Sequence, residues 1–426
     1  MHLKIFKKVL AMQTQIILLP TKAKKFFSLF TLFLIILLDA TNIALIVPLL
    51  APLLSDHVHG ILVQALSVTH KSLLYGAILT VSNIALFLGA PWLGDLSDHL
   101  GRKKVLLICL VFAGIGFCFS AVSVIYKSVM LLIIGRVMSG FFTSSQALAQ
   151  ASVVDMSNEK NKSLYLTFIT LAVCSGFIVG PFFSDLLTNS FLMSKFGFAL
   201  PFWFATLLSF LSAILLLLLY KETYQPKETQ KLHLTKSIKV FTDAFLHPEI
   251  RMLSLTFLLA EIAWGLFFQF FPVYLLDKFH FTEIKISELI TSMGILFAVA
   301  LLLMMPIVLR YLKIGKIVFY SLLLTVMGSF LVLIPDPDYL YFYIIPLSLG
   351  GAIFYVAFMN LFSNAVRKDK QGWIMGIFVA IIGAAWVLSS ILGSILNLFN
   401  VYVPIIFSAS LFVISNVMCM KYYHQK

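Results

Sequence analysis

Three charged residues interrupt apolar runs that are otherwise long enough to cross a bilayer. Asp39 lies within LLDATNIALIVPLL, Arg136 within LLIIGRVMSGFF and Glu261 within LLAEIAWGLFFQFF. An ionised side chain near the bilayer centre costs at least ~2.5–3.5 kcal/mol, so each position needs a structural or functional reason. A carboxyl group in a low-dielectric cavity can bind and release a proton near neutral pH. The two acids therefore predict proton-coupled chemistry inside the membrane.

The neighbours of these charged residues suggest a cavity that they line together. Asn42 follows Asp39 on the same face of a helix, and Trp264 follows Glu261 in the same way. An aromatic ring beside an acid could stack on a flat or cationic ligand. Arg136 has two interpretations, a cavity residue or the buried ion-pair partner of Asp39, because cations inside membranes are usually paired. We predict that Asp39 and Glu261 carry the coupling between them.

Further polar or amphipathic residues lie within the apolar runs. Each could bond a ligand, but interhelical hydrogen bonding is the favoured interpretation for any one of them. They are Asn83, Gln146, Gln150, Gln269, Tyr355, Asn360 and Trp386.

The elements that must position these residues are membrane-spanning helices. Of the 426 residues, 61% are hydrophobic and 12% are charged, whereas about a quarter of a soluble domain is charged. Each apolar segment is near the ~20 residues that a helix needs to cross the hydrocarbon. The sequence thus predicts an all-α membrane protein with twelve transmembrane helices. They lie near 27–50, 72–92, 104–124, 128–150, 164–187, 199–219, 252–276, 288–309, 315–334, 340–362, 373–396 and 401–420.

The basic residues alternate between the two sides of these predicted helices. Of the 31 lysines and arginines, 25 lie in loops on one side and 5 on the other, and Arg136 lies within a helix. By the positive-inside rule, both termini and the 94–104 loop are cytoplasmic. The net charge of +13 follows from this topology, so we expect no nucleic-acid partner.

A long polar stretch divides the chain into two sets of six helices. Asp39 precedes Pro48 in helix 1 as Glu261 precedes Pro272 in helix 7, which indicates a duplication. Two parallel six-helix halves are typical of secondary transporters.

The basic segment before the first half is broken by polar residues and a proline and has no cleavage site. We therefore interpret it as an extension and not as a signal peptide, with Met12 as an alternative start. The predicted parts are a cytoplasmic N-terminal extension (1–26), a first half (27–220), a cytoplasmic linker (221–251), a second half (252–420) and a cytoplasmic tail (421–426).

The stretch GDLSDHLGRKK, residues 94–104, concentrates charge between helices 2 and 3. Gly94 and Gly101 would allow close approach and a tight turn. Asp98 would cap the start of helix 3 and face a cation. The basic triplet that begins at Arg102 would anchor the loop at the anionic leaflet.

This stretch resembles the loop 2–3 signature of the major facilitator superfamily. The matching residues are Gly94, Asp98, Gly101, Arg102 and Lys103, whereas His99 replaces the usual arginine. The resemblance implies a conformational latch, in which the aspartate holds the two halves together while the cavity faces outward.

Two further motifs resemble the same family. LLIIGRVMSGFF is similar to its helix 4 motif through Arg136 and Gly140. GFIVGPFFSD is similar to the helix 5 signature of drug/proton antiporters, with Ser184 and Asp185 in place of its last two glycines. The matching residues, which we interpret as a close helix-packing face, are Gly176, Gly180 and Pro181.

Residues 33–187 look most like the tetracycline-efflux branch. That branch carries an acid within helix 3, and VLLICLVFAGIGFCFSAV has none, so specificity for tetracycline does not transfer. The resemblance implies alternating access, with protons and a small-molecule substrate as partners of a functional monomer in a bacterial inner membrane. The predicted function is export of a small amphipathic organic compound.

Other function classes are disfavoured or less favoured. The leading alternative is a proton-coupled importer of a nutrient, an amino acid or a siderophore. A non-transporting receptor or scaffold would need no intramembrane acids. The sequence shows no nucleophile–base arrangement, P-loop or cofactor motif, and the histidine and cysteine positions do not suggest a metal site or disulfide. We expect no enzyme, no cofactor and no metal.

Overall fold

The computed structural model describes residues 21–56, 59–62, 67–143, 145–157, 162–188, 191, 196–222, 236–366 and 371–424. Within these ranges the regular structure is helical, and twelve helices are long and apolar enough to cross a membrane. Residues 1–20 of the predicted extension and 223–235 of the predicted linker lie outside the described residues.

The twelve spans are labelled α1 to α12 in chain order. Those before the linker are α1 (Thr21–Ser55), α2 (Val68–Leu100), α3 (Arg102–Ile125), α4 (Val129–Phe142), α5 (Lys162–Leu187) and α6 (Ala199–Leu219). Those after it are α7 (Pro248–Phe279), α8 (Glu283–Val299), α9 (Ile314–Leu331), α10 (Leu340–Asn364), α11 (Gln371–Asn397) and α12 (Tyr402–His424).

Two spans are less regular than the sequence predicts. The fourth was expected as one helix over 128–150, but α4 ends at Phe142 and a second segment, Ser145–Asp155, completes the span. In the eighth, a π-helical turn over Ala300–Met304 follows α8 and leads into Met305–Tyr311. Pro306 has no amide hydrogen to donate to the preceding turn, which accounts for the altered hydrogen-bond pattern there.

The segment predicted as a loop over 94–104 is mostly helix, so that prediction was wrong. α2 continues through Leu100 and α3 begins at Arg102, which leaves only Gly101 between them. Gly101 has φ +91°, a conformation that glycine adopts without the steric cost of a β-carbon. The linker also contains a helix, Lys236–Leu246, which packs against α7 and α11.

Each half is built around its own helix pairs. In the first half α1 packs on α5, and α3 packs on α4 and α6. In the second half α9 packs on α10, and α7 packs on α11 and α12. The halves meet mainly where α2 faces α11 and α5 faces α8, with α1 and α7 also in contact. Below, the linker side is the end of the bundle that carries Gly101 and the linker helix, and the far side is the opposite end.

Candidate functional site

Asp39 is enclosed by helices of the first half. It lies in the middle of α1 with 3% of its surface exposed. The hydroxyl of Ser145, the first residue of the segment after α4, donates to Asp39 Oδ2 at 2.5 Å. Among the described residues no lysine, arginine or histidine nitrogen lies within 4.0 Å of this carboxyl group. A serine hydroxyl is therefore the partner that the structure gives Asp39.

Glu261 lies near the middle of α7, where its surface is 2% exposed. No ion pair and no side-chain hydrogen bond to another described residue holds its carboxyl group. Tyr355 of α10 is within electrostatic range of Glu261, and it is also within range of Cys174 on α5. The helix that carries this acid, α7, contacts α1 of the first half. The surroundings of Glu261 differ from those of Asp39, because no hydroxyl is bonded to it.

Arg136 projects from α4 and makes no ion pair with a described residue. Its Nε atom is buried and has no hydrogen-bond partner. The ion pair with Asp39 considered in the sequence analysis is therefore absent in this conformation. Asn42, on the same helix as Asp39, donates from Nδ2 to Ser209 Oγ of α6 at 3.2 Å, while its Oδ1 atom is buried and unpaired. A cation and an amide oxygen of the first half remain free to accept a ligand.

Trp264 anchors a cluster of aromatic rings one turn from Glu261. Its ring stacks on that of Phe268, with centroids 6.3 Å apart and planes inclined by 19°, and lies 5.2 Å from that of Phe297. Phe268 in turn lies 6.0 Å from Trp386 of α11. Gly351 of α10 allows the close approach, since a β-carbon there would lie 2.6 Å from the indole. The cluster offers flat apolar surfaces next to an acid.

The charged residues at the α2–α3 junction pair within the first half. Arg102 Nη1 lies 3.0 Å from Asp98 Oδ1, and Arg102 Nε lies 3.2 Å from Asp155 Oδ2. Asp98 faces a cation as expected, but it does not cap α3, because it lies in the last turn of α2. The cap is supplied by Glu222, whose Oε2 accepts from the backbone N–H of Lys103 at 2.8 Å. Glu222 was missed because it is 119 residues from the amide that it binds.

The glycines of the same motif differ in their surroundings. Gly101 needs its positive φ, and a β-carbon there would lie 2.7 Å from Glu222 Oε2. The expected close approach at Gly94 is wrong for this conformation, since a β-carbon on Gly94 would have no neighbour within 4 Å. Asp98 contacts Arg102 of its own half, and Gly94 faces open space. Neither Asp98 nor Gly94 therefore holds the α2–α3 junction to the second half in this conformation.

The glycines of α5 lie directly against α1. A β-carbon on Gly176 would lie 2.7 Å from the carbonyl oxygen of Leu37, and one on Gly180 would lie 2.7 Å from that of Thr41. Pro181 is buried within the same helix. These residues bring the α5 backbone next to the helix that carries Asp39.

Of the weaker sequence candidates, two are interhelical partners and one is bonded within its own helix. Asn83 of α2 and Gln269 of α7 are hydrogen-bonded to each other at 3.0 Å, as the favoured interpretation predicted. Asn360 donates to Val356 O of its own helix at 2.9 Å. Ser145 was not among the candidates predicted from the sequence. The polar run SSQALAQ in an otherwise apolar span was the pattern that indicated it.

Comparison with known proteins assigns the fold to a family of transporters. The profile of the Major Facilitator Superfamily matches residues 32–338 and 253–426. The chain is 32% identical over 196 residues to the class H tetracycline resistance protein of Pasteurella multocida, a match that spans 46% of this chain and 45% of that protein. It is 22% identical to the class B tetracycline resistance protein of Escherichia coli, over 87% of this chain and 88% of that one. It is 25% identical to the quinolone resistance protein NorA of Staphylococcus aureus, over 82% and 84%.

Solved structures share the whole architecture. The human organic anion transporter MFSD10 superposes with a TM-score of 0.69 at 19% identity, over 94% of this chain and all of that one. A D-xylose–proton symporter superposes with a TM-score of 0.72 at 15% identity, over 92% and 97%. At these identities the likeness concerns the fold.

Proposed function

The chain belongs to the major facilitator superfamily, and we propose that it exports a small amphipathic organic compound from a bacterial cell in exchange for protons. It is a multi-pass membrane transporter, and the fold and family are those of proteins that are not enzymes. The proposed location is the inner membrane, and the proposed functional unit is the monomer. Relatives named for resistance to tetracycline or quinolone support export of a drug-like compound.

The observation that carries proton coupling is that each half has a buried carboxyl group that makes no ion pair with a described residue. Asp39 and Glu261 lie on α1 and α7, which contact each other across the interface. A charge that is buried and unpaired in the membrane is costly, so binding a proton relieves each group. Such a group changes its interactions when the proton leaves, and that is what coupling to alternating access requires.

The aromatic cluster and the unpaired groups of the two halves suggest the chemistry of the compound. Glu261 and the aromatic cluster at Trp264 suit a flat compound that carries a basic group. Arg136, which lacks an ion pair with any described residue, suits an acidic group on the same compound. We propose an amphipathic substrate with an aromatic body, and tetracycline and a quinolone are the first test compounds.

Substitution of Glu261 tests the coupling. In proteoliposomes, Glu261→Gln mimics the protonated acid permanently, so transport driven by a pH gradient should be lost while substrate-for-substrate exchange continues. Glu249→Gln is the matched control, because Glu249 lies on the same helix but is exposed in its first turn, and both activities should persist. Normal gradient-driven transport by a well-expressed Glu261→Gln protein would remove Glu261 from the mechanism.

The direction of transport is tested in inverted membrane vesicles with an acidic lumen. An exporter that exchanges protons for its substrate accumulates the compound in the lumen as protons leave. A proton-coupled importer would not, because its protons and substrate move in the same direction. Release of a preloaded nutrient under these conditions would favour the importer instead.

A further inference from the structure

Gln269 of α7 is the centre of a polar network that joins the two halves. Its side chain is 3% exposed. Its Oε1 accepts from Asn83 Nδ2 at 3.0 Å, and its Nε2 donates to Ser389 Oγ at 2.7 Å. Its backbone carbonyl accepts a hydrogen bond from the hydroxyl of Tyr75. Its Nε2 also donates to the backbone carbonyl of Trp386 at 3.5 Å. One residue of the second half is thus bonded to two residues of α2 and two of α11.

Two further hydrogen bonds between described residues of the two halves lie in the same region. Asn83 Nδ2 also donates to the backbone carbonyl of Trp386 at 3.1 Å, and Asn397 Nδ2 donates to Ser72 Oγ at 2.9 Å. α2 begins on the far side, whereas α7 and α11 end there, so all of these bonds lie between the middle of the bundle and its far side. Hydrogen bonds between described side chains of the two halves occur only in this region.

From this placement we infer that Tyr75, Asn83, Gln269 and Ser389 form a polar clasp that keeps the far side closed. The clasp must open before a compound can pass on that side, and this role rests on the proposed function, since it requires a protein that alternates between two openings. Packing of apolar residues gains little between helices surrounded by lipid. Amide and hydroxyl groups, by contrast, hold the halves together when paired and exchange their partners for water when the far side opens.

The clasp adjoins the aromatic cluster of the candidate site. Gln269 follows Phe268 in α7, and Asn83 binds the carbonyl of Trp386, whose ring lies 6.0 Å from that of Phe268. A compound inserted between these two rings would displace the residues to which the clasp is bonded. The clasp therefore lies next to the aromatic cluster proposed to bind the substrate and not at a remote end of the bundle.

Two tyrosines of equal chemistry provide a matched test. Tyr75 and Tyr274 are both buried and both donate to a backbone carbonyl, but Tyr75 bonds across the halves and Tyr274 bonds Val332 within the second half. The reporter is Leu54→Cys in a background whose four native cysteines are replaced. Leu54 is buried and lines a far-side cavity of about 140 Å³ between α1, α2 and α7.

The measurement is the rate at which a polar maleimide labels Leu54→Cys in protein held in lipid nanodiscs. Loss of one hydrogen bond between the halves in Tyr75→Phe should raise the rate about 2- to 10-fold. Gln269→Leu should raise it by a similar factor, because the bond to Asn83 is the one its side chain makes across the halves, whereas Ser389 belongs to its own half. Tyr274→Phe should leave the rate unchanged. If Tyr75→Phe and Gln269→Leu label no faster than Tyr274→Phe, the clasp does not hold the far side closed.

The conservative Tyr75→Phe variant decides the question even where Gln269→Leu fails to fold. Labelling needs neither a substrate nor a proton gradient. A failure of the clasp is thereby distinguishable from a failure of proton-coupled export, which the Glu261→Gln experiment tests separately.

Discussion

At the scale of single residues, the two buried acids are held in different ways. Asp39 is bonded to Ser145 of its own half. Glu261 has no hydrogen bond or ion pair with a described residue, and it lies near Tyr355. Interactions that change between two conformations are the ones that can drive a cycle. The geometry thus gives Glu261 the freer carboxyl group and gives Asp39 a more structural setting, a difference between the two acids that the sequence does not predict.

The bond between Ser145 and Asp39 leads to a prediction about stability. Ser145→Ala removes the hydroxyl and should lower the free energy of unfolding by about 0.6 kcal/mol, the mean for interhelical hydrogen bonds in membranes, and by at most about 1.7 kcal/mol. Unfolding in sodium dodecyl sulfate measures the loss. Ser410→Ala is the control, because the hydroxyl of Ser410 makes an exposed hydrogen bond to Ile406 O within its own helix. Equal stability of the two variants would show that this bond does not hold α1 to the fourth span.

The acids could be predicted from the sequence because each is conspicuous among apolar neighbours. Ser145 and Glu222 could not, since serine and glutamate are ordinary at those positions in the sequence. Their roles follow from distances of 106 and 119 residues along the chain, which only the fold brings together. For the same reason the sequence named Asn83 and Gln269 separately and could not pair them.

At the scale of elements, the twelve spans could be predicted because the length of a span is fixed by the thickness of the bilayer. Their ends were less predictable. Hydropathy ends the second span near residue 92, yet α2 continues to Leu100, because a polar sequence forms helix as readily outside the hydrocarbon. The break after Phe142 and the π-helical turn at Ala300–Met304 depend on local hydrogen bonding, to which an apolar pattern is insensitive.

Gly94, within α2, and Gly101, just after its end, should respond oppositely to substitution. Gly94→Ala adds a methyl group to open space within a helix and should stabilise the protein by about 0.5–1 kcal/mol. Gly101→Ala forces a side chain into a positive φ and should cost about 1–2 kcal/mol. The same unfolding assay compares them, and destabilisation by Gly94→Ala would contradict the open surroundings of that residue.

At the scale of the whole molecule, the two halves contain similar helix pairs. The contacts between the halves are polar on the far side. The duplication and the charged linker predicted the two halves. These features do not predict which side of the bundle is closed, because that depends on the position of the two halves relative to each other and not on the fold of either half. The hydrogen bonds from α2 to α7 and α11 define the conformation seen here as one with a closed far side.

The orientation of the molecule in the membrane is the last prediction, and it rests on the 25-to-5 distribution of basic residues. Ser55 and Thr282 lie at the far side, at the end of α1 and just before α8. Lys313 lies exposed at the other side, just before α9. In a background without native cysteines, an impermeant maleimide should label Thr282→Cys in intact cells, whereas Lys313→Cys should react only in inverted vesicles.

The cytoplasmic side is expected to be the linker side because lysine and arginine are retained where the membrane potential is negative. Ser55→Cys is a second external reporter, so that a single protected position cannot decide the outcome. Labelling of Lys313→Cys from outside, with protection of Ser55→Cys and Thr282→Cys, would invert the molecule and would place the clasp of Gln269 at the cytoplasmic opening. Protection of all three positions on both sides would contradict the arrangement of these helix ends at the membrane surfaces.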